Sequence, residues 1–462
     1  MKLYFKEAAA VLLTASLVSC SSASFDRTDS SQKKPTPPAS SKSYSKPPHR
    51  VVGYFCEWGI YGGHNNYYVT SIPYDKLTHI NYAFAALDPE THEVVIPDPW
   101  ASTTIVYPGE SSNTPYKGNL GMLRKMKLKY PNVKVLISIG GWTRSNGFHS
   151  AAATDVSRKT TADNLAAFVK QYGLDGVDID WEYPGINREK DPADQYDLGS
   201  PGGIEDKENY TLLLKAIRQA LDAQGTADGK TYELTAAVGV GYDTIAATDP
   251  GEYAKYLDAV NLMAYDMHVG AETTTGHQAP LYANTASDTH TQLVRERYNV
   301  DWAVNKFLEL GVPANKIVVG IPFYSRGWDH VEGGWDADGD GQPDGMFGTG
   351  SGTLQGTWGP GGQSPYFDLK KLEGKPGWVK YRDTVSKACW LFNRSKKQLY
   401  TYDDAETVKT KMQYILDKKL AGAMYWELDG DDWKHGYDLV NIIADAMLSS
   451  SPSATPESEQ KQ

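Results

Sequence analysis

The sequence predicts an α/β protein, a (β/α)8 barrel with a small inserted α+β subdomain between strand seven and the last helix. Three observations lead there. Eight short apolar runs recur between residues 50 and 448, helical patterns fall between several of them, and one run carries a row of acidic side chains.

The apolar runs are residues 51–56, 79–85, 134–139, 176–181, 233–240, 259–264, 317–321 and 421–426. Helical patterns cover 162–172, 208–221, 301–310 and 405–418. Thr161 and Asp404 are placed as N-caps, and Gly173 and Gly311 as C-terminal stops; a cap oxygen accepts an orphan backbone N–H, and glycine takes the left-handed exit. Strands alternating with helices favour a parallel sheet, and eight strands favour a closed barrel. The stretch 327–401 is too long for a loop and reads as the inserted subdomain. A second long interval, 86–119, follows strand two, and both would rise from the C-terminal face where barrels build their sites.

Flanking segments differ in character. Lys2 and Lys6 precede an apolar run, residues 8–19, that is too short to cross a bilayer and reads as an export leader. It ends in Leu17-Val18-Ser19-Cys20, which resembles a bacterial lipobox, so 1–20 is read as a signal peptide with Cys20 lipidated. Residues 21–49, rich in Ser, Pro and Lys, and the tail 449–462 cannot bury enough surface to fold and are read as a flexible tether and a disordered end. The expectation is an exported protein, membrane-anchored at the cell envelope or surface through that lipid, and otherwise secreted. A net charge of −11 argues against a nucleic-acid partner, which needs clustered cations. The 40% hydrophobic and 22% charged residues are those of a soluble globular enzyme, expected to act as a monomer. Cys56 and Cys389 could pair after export or stay buried thiols, and distance in sequence does not decide between them.

The chemistry concentrates in Asp175-Gly176-Val177-Asp178-Ile179-Asp180-Trp181-Glu182. Side chains alternate along a strand, so Asp178, Asp180 and Glu182 share one face while Val177, Ile179 and Trp181 share the other. Like charges that close cannot all ionise, so at least one pKa rises, which keeps an acid protonated for donation to a leaving group. A hard-cation site is the alternative for such oxygens; the graded depth, with Glu182 at the tip and Asp178 deepest, favours acid–base work.

This segment matches the DxxDxDxE signature of glycoside hydrolase family 18, the chitinases. Four further segments resemble that family's strand-end motifs in its order: Ser138-Ile139-Gly140-Gly141-Trp142, Met263-Ala264-Tyr265-Asp266, Pro322-Phe323-Tyr324-Ser325-Arg326 and Tyr425-Trp426-Glu427. The chain is therefore identified as a member resembling the bacterial chitinase A branch, with chitin or chito-oligosaccharides as partners. The resemblance implies a retaining mechanism in which the sugar's own acetamido group is the nucleophile. Glu182 is then acid/base, Asp180 orients the acetamido nitrogen, Asp178 shares a proton with Asp180, and Tyr265 positions the acetamido oxygen. Asp266 supports the sugar, Trp426 forms the floor beneath it, and Tyr324 and Arg326 contact ligand in the cleft. Trp142, Tyr183 and Trp58 are candidates for stacking, while Asp175, Ser138, Gly140 and Gly141 are structural parts of the motifs. Met267 and His268 stand where many relatives carry an aromatic platform. Outside leader and tether no separate chitin-binding module is read, so soluble chains are expected substrates ahead of crystalline chitin. A catalytically dead lectin of this fold usually lacks the acid, which is present here; an endo-β-N-acetylglucosaminidase stays open.

No cofactor is expected for catalysis. Asp336, Asp338, Asp340, Gly341 and Asp344 follow the spacing of a calcium loop, but Phe347 stands where its last carboxylate belongs. Structural calcium is one reading of this loop and a plain acidic turn the other.

Overall fold

The computed structural model describes residues 49–192, 194–350 and 354–449. The leader with Cys20, the tether up to residue 48 and the tail from 450 lie outside the described residues.

Eight parallel strands form a closed ring: β1 Arg50–Cys56, β2 His79–Leu87, β3 Lys134–Gly140, β4 Gly176–Asp180, β5 Glu233–Gly239, β6 Ala259–Met263, β7 Ile317–Pro322 and β8 Gly422–Trp426. Each pairs with its sequence neighbours, and β8 also pairs with β1. Closure removes the exposed edges that an open sheet would leave. Around the ring lie α1 Gly118–Lys129, α2 Asp155–Tyr172, α3 Asp206–Asp228, α4 Val300–Glu309, α5 Ala405–Asp417 and α6 Leu439–Leu448. After β1 the chain makes only 3-10 turns, and after β5 two short helices, Tyr242–Ala246 and Pro250–Tyr253.

The apolar runs divide by face. Val177 and Ile179 of β4 join the core between barrel and helices, and Trp181 follows them, stacking on Phe148 with centroids 5.4 Å apart. A second apolar group fills the ring itself, including Val52, Tyr54, Phe84, Val318 and Met424. The floor of the barrel is ionic. Glu233 meets Arg50 at 2.9 Å, His79 at 3.0 Å and Lys134, and these partners hold its carboxyl far below the ordinary range against the opposing effect of burial. Asp175 also serves this end: its Oδ2 accepts from Val135 N at 2.7 Å and pairs with Lys127.

One expected cap is corrected. Thr161 lies inside α2, its hydroxyl donating to Ser157 O at 2.9 Å. The helix starts at Asp155 because Thr154 and Ser157 cap each other's backbone N–H groups. The polar first turns conceal this start from apolar periodicity. Asp404 does cap α5, accepting from Thr407 N at 2.9 Å, and Gly173 ends α2 at φ 67°.

The insertion after β7 is a four-stranded antiparallel sheet, in the order Val379–Asp383, Ala388–Asn393, Gln398–Tyr402, Arg326–Trp328, with a helix at Tyr366–Leu372. It has its own apolar group around Trp328, Trp390 and Phe392. The β6–α4 loop, 264–299, is bound to it: Trp328 Nε1 donates to Glu272 O at 3.0 Å, and Gly350 N to Thr273 O at 2.8 Å. Cys56 and Cys389 are both buried free thiols, the first in β1 and the second in the inserted sheet.

Where the inserted sheet returns to the barrel, Lys411 of α5 pairs with Asp403, both almost wholly buried. Removing one partner strands the other charge in a dry site, at about 3–5 kcal/mol. Lys411→Met is therefore expected to lower unfolding stability by roughly that amount in urea titration; a loss under about 1 kcal/mol would show that the pair is dispensable.

Candidate active site

β4 presents its acids as the two-residue period requires. Asp178 is fully buried within the ring, Asp180 is 3% exposed one step higher, and Glu182 is half-buried just past the strand's end. Strand register surrounds Asp178 with donors, because Ser138 of β3 and Thr235 of β5 are both its direct neighbours. Its Oδ2 accepts from Tyr54 Oη and Ser138 Oγ, each at 2.8 Å. Its Oδ1 accepts from Thr235 Oγ1 at 2.5 Å and Asn261 Nδ2 at 3.1 Å. Burial pushes the Asp178 carboxyl up, and these four donors pull it back.

Asp180 has no such support. Its Oδ1 is buried without a hydrogen-bond partner among the described residues. Burial, followed by the charges of Glu182 and Asp178, raises its pKa well above the ordinary value. The pair thus divides its roles, with four donors favouring charge on Asp178 and nothing favouring it on Asp180. Glu182 is pushed up to about 7, chiefly by burial and to a lesser degree by Asp266, against the hydrogen bond from Tyr183 and the pull of Arg188 and Arg326. Such a carboxyl can hold a proton near neutrality and still release it, which is what a general acid and base must do.

Two glycines let β3 pass close to this row. A Cβ at Gly140, which has φ 109°, would fall 2.1 Å from Asp180 O. A Cβ at Gly141, φ 75°, would fall 2.5 Å from the Phe84 ring. Gly141 N in turn donates to Asp180 O at 2.8 Å, and Glu182 N to Ser145 Oγ at 2.9 Å, which fixes the backbone on both sides of the acid.

Trp426, at the end of β8, packs against Phe84 with centroids 5.5 Å apart and nearly parallel planes, and against Tyr54 and Trp58 at 5.6 and 6.3 Å. Its partly open ring therefore tops the apolar group inside the barrel. Tyr265 is half-buried beyond β6. Asp266 beside it takes the left-handed conformation, φ 56°, and holds Arg326 through two 2.7 Å contacts. Tyr324, expected to contact ligand, is instead buried at 2% exposure with its ring edge-on to Tyr265, so it supports that ring from behind. Tyr183 is half-buried and packs closely over Gly239. Trp142 is 41% exposed, with the Arg188 guanidinium 3.9 Å from its ring centre.

Sequence reasoning missed several members. Thr235 and Asn261 are polar residues that interrupt otherwise apolar stretches of β5 and β6. Ser138, read as structural, donates directly to Asp178. Tyr61 and Trp100, on loops after β1 and β2, stack with centroids 6.0 Å apart and stay exposed, as rings offered to a ligand would be. Asp336, Asp338 and Asp344 do gather in the inserted subdomain. There Asp336 accepts from Gly339 N and Gly341 N, Asp338 from Asp340 N and Asp340 from Gln342 N, while Asp344 accepts from Ala337 N and pairs with Arg394 at 2.9 Å.

The match to known proteins runs through this geometry. The family model described as glycosyl hydrolases family 18 matches residues 50–431, from β1 to beyond β8. The chain belongs to that family. Chitinase A1 of Niallia circulans is 38% identical over 416 residues, 83% of this chain and 56% of that protein. Chitinase A of Pseudoalteromonas piscicida is 34% identical, over 87% of this chain and 52% of its own length. The chain thus spans little more than half the length of these curated relatives. Among solved structures, chitinase ChiA74 from Bacillus thuringiensis superposes with a TM-score of 0.73 at 35% identity, over 88% of this chain and 71% of the other. The catalytic domain of a psychrophilic chitinase B from Arthrobacter TAD20 gives 0.75 at 28%, over 87% and 96%. In this family 18 chain Glu182 and Trp426 stand at the C-terminal ends of β4 and β8, where such folds carry their sites, while Asp178 and its donors lie deeper within the ring.

The four donors around Asp178 give a direct test. Asn at that position accepts through only one of its two atoms, so donors now satisfied would lose their acceptor, at about 1–3 kcal/mol each. Asp178→Asn is expected to lower both the melting temperature and turnover; unchanged values of both would show that the donor shell is ornamental.

Proposed function

We propose that this protein is a chitinase that hydrolyses β-1,4 linkages of N-acetylglucosamine polymers by a retaining, substrate-assisted mechanism with Glu182 as acid/base. The observation that carries the reading is the graded row on β4, with Asp178 fully buried, Asp180 3% exposed and Glu182 half-buried past the strand's end, where burial pushes its carboxyl up to about 7. The two curated relatives named above, both chitinases and matched over most of this chain, support the substrate class.

In the first step the Glu182 proton passes to the glycosidic oxygen. The C1–O bond breaks as the acetamido oxygen of the same sugar bonds to C1, giving an oxazolinium ion. Asp180 faces the acetamido N–H and takes up part of the positive charge as its own proton shifts toward Asp178. Tyr265 donates to the acetamido group from the opposite side, and Trp426 lies under the ring, holding the sugar face and keeping water out. Glu182, now a carboxylate, removes a proton from the water that attacks C1 as the bond from C1 to the acetamido oxygen breaks, and two inversions leave the configuration retained. Asp266 and its Arg326 partner border this site, where the Asp266 charge raises the Glu182 pKa. Trp142, Trp58, Tyr61 and Trp100 extend the binding surface along the chain. The mechanism needs no cofactor, and calcium has at most a structural place in the Asp336–Asp344 turn.

The same reading takes the protein out of the cytoplasm as a monomer, tethered by lipid at Cys20. Chains supplied outside the cell would then be cut at the envelope.

Two measurements test the reading. Glu182→Gln, which keeps the shape but cannot donate this proton, is expected to abolish release of products from chitohexaose while leaving sugar binding nearly intact; near wild-type turnover would refute the acid assignment. Because the acid must be protonated, kcat/KM is expected to fall as pH rises through about 7, the value to which burial chiefly raises Glu182. A profile flat from pH 6 to pH 9, on the order of three units around that value, would remove Glu182 from the role.

A further inference from the structure

The loop that follows Asp266 carries a second group of ionisable side chains that the reaction does not use. His268, Glu272, Asp288 and His290 meet where this loop is bound to the inserted sheet. The His268 side chain is 4% exposed and its ring stacks on His290, with centroids 4.1 Å apart. A Cβ at Gly276 would fall 2.4 Å from His268 Cγ, so backbone on one side and His290 on the other hold the imidazole in place.

Hydrogen bonding decides which ring atoms are left over. Asp288 Oδ1 lies 2.7 Å from His290 Nδ1, and a carboxylate there fixes the proton on that nitrogen. His290 Nε2 then presents a lone pair. It is buried, has no hydrogen-bond partner among the described residues, and lies 3.8 Å from Glu272 Oε2. The same Glu272 oxygen lies 2.8 Å from His268 Nδ1. Burial moves the His268 pKa down, toward the neutral form that a ligand needs.

We propose that His268 Nδ1, His290 Nε2 and Glu272 Oε2 bind a divalent transition-metal ion of the zinc class, with Asp288 supporting His290 from behind. Bonds of about 2.0–2.1 Å to a tetrahedral ion place its ligands roughly 3.3 Å apart. The two separations to Glu272, 2.8 and 3.8 Å, lie on either side of that value. Two imidazoles and one carboxylate favour zinc over calcium or magnesium, which take oxygen ligands. Asp288 repeats the carboxylate–histidine arrangement that orients metal-bound imidazoles. The Glu272 side chain is 37% exposed, which opens a path for the ion and a fourth position for water. His268 lies two residues beyond Asp266, and Glu272 O accepts from Trp328 of the inserted sheet. The ion would therefore brace the cleft wall against the subdomain.

The competing occupant is a proton, which would turn the group into an imidazolium–carboxylate network. Full-length protein stripped with EDTA and titrated calorimetrically with zinc chloride distinguishes the two. One equivalent is expected to bind and to raise the melting temperature, with no displacement by excess calcium. That last condition separates it from the Asp336–Asp344 turn. His290→Gln and Glu272→Gln, the second at a partly open position that tolerates change, are each expected to weaken zinc affinity by about 100-fold, and Asp288→Asn by about 10–100-fold. No zinc uptake by the wild-type protein, or unchanged affinity in both ligand variants, overturns the site and leaves the proton in its place.

Discussion

Asp178 and Asp180 lie two residues apart on one face of β4, inside a ring of strands where water cannot screen them. An isolated carboxylate in such a place would take up a proton, and a second one nearby makes its neighbour's ionisation harder still. The barrel resolves the conflict unevenly. Tyr54, Ser138, Thr235 and Asn261, from four different strands, all donate to Asp178, and none donates to the free oxygen of Asp180. The pattern rests on parallel register, because Ser138, Asp178 and Thr235 are consecutive partners across β3, β4 and β5. Closure matters equally, since Tyr54 reaches Asp178 from β1 on the other side of the interior.

Elements further out keep that row in place. Trp181 is locked among Phe148 and Tyr210 on the outer face, so Glu182 must turn inward. Gly140 and Gly141 bring the end of β3 against the Asp180 carbonyl and the Phe84 ring, where a side chain at either glycine would collide. The apolar group inside the ring ends in Trp426, so a flat aromatic surface lies at the level where the acids emerge. The acids and the aromatic surface thus come from neighbouring residues on one sheet.

The amino-acid pattern made much of this legible. Strict alternation in Asp178, Asp180 and Glu182 announced both the strand and its inward acidic face, and eight apolar runs announced the ring. Capping was harder. The start of α2 is set by Thr154 and Ser157, two small polar residues that carry no apolar signal, and the periodicity that placed a cap at Thr161 began two turns too late. Thr235 and Asn261 were visible as polar interruptions of apolar strands, yet their common target exists only after β5 and β6 take their places in the ring. Tyr324 is placed in the cleft only by its resemblance to a family motif; its burial against Tyr265 is a tertiary fact. His268 read only as a missing aromatic ring, since its partners Glu272, Asp288 and His290 come from a stretch with no regular period.

The proton distribution along β4 can be observed directly. Carbon-13 labelling of Asp and Glu carboxyl groups, with residues 178, 180 and 182 assigned by substitution, allows each to be followed by NMR across pH in the ligand-free protein. The account predicts that Asp180 and Glu182 titrate in separate steps, both above the range of about 4 usual for these side chains, with Glu182 near 7. Three carboxyls losing their protons together near about 4 would contradict it.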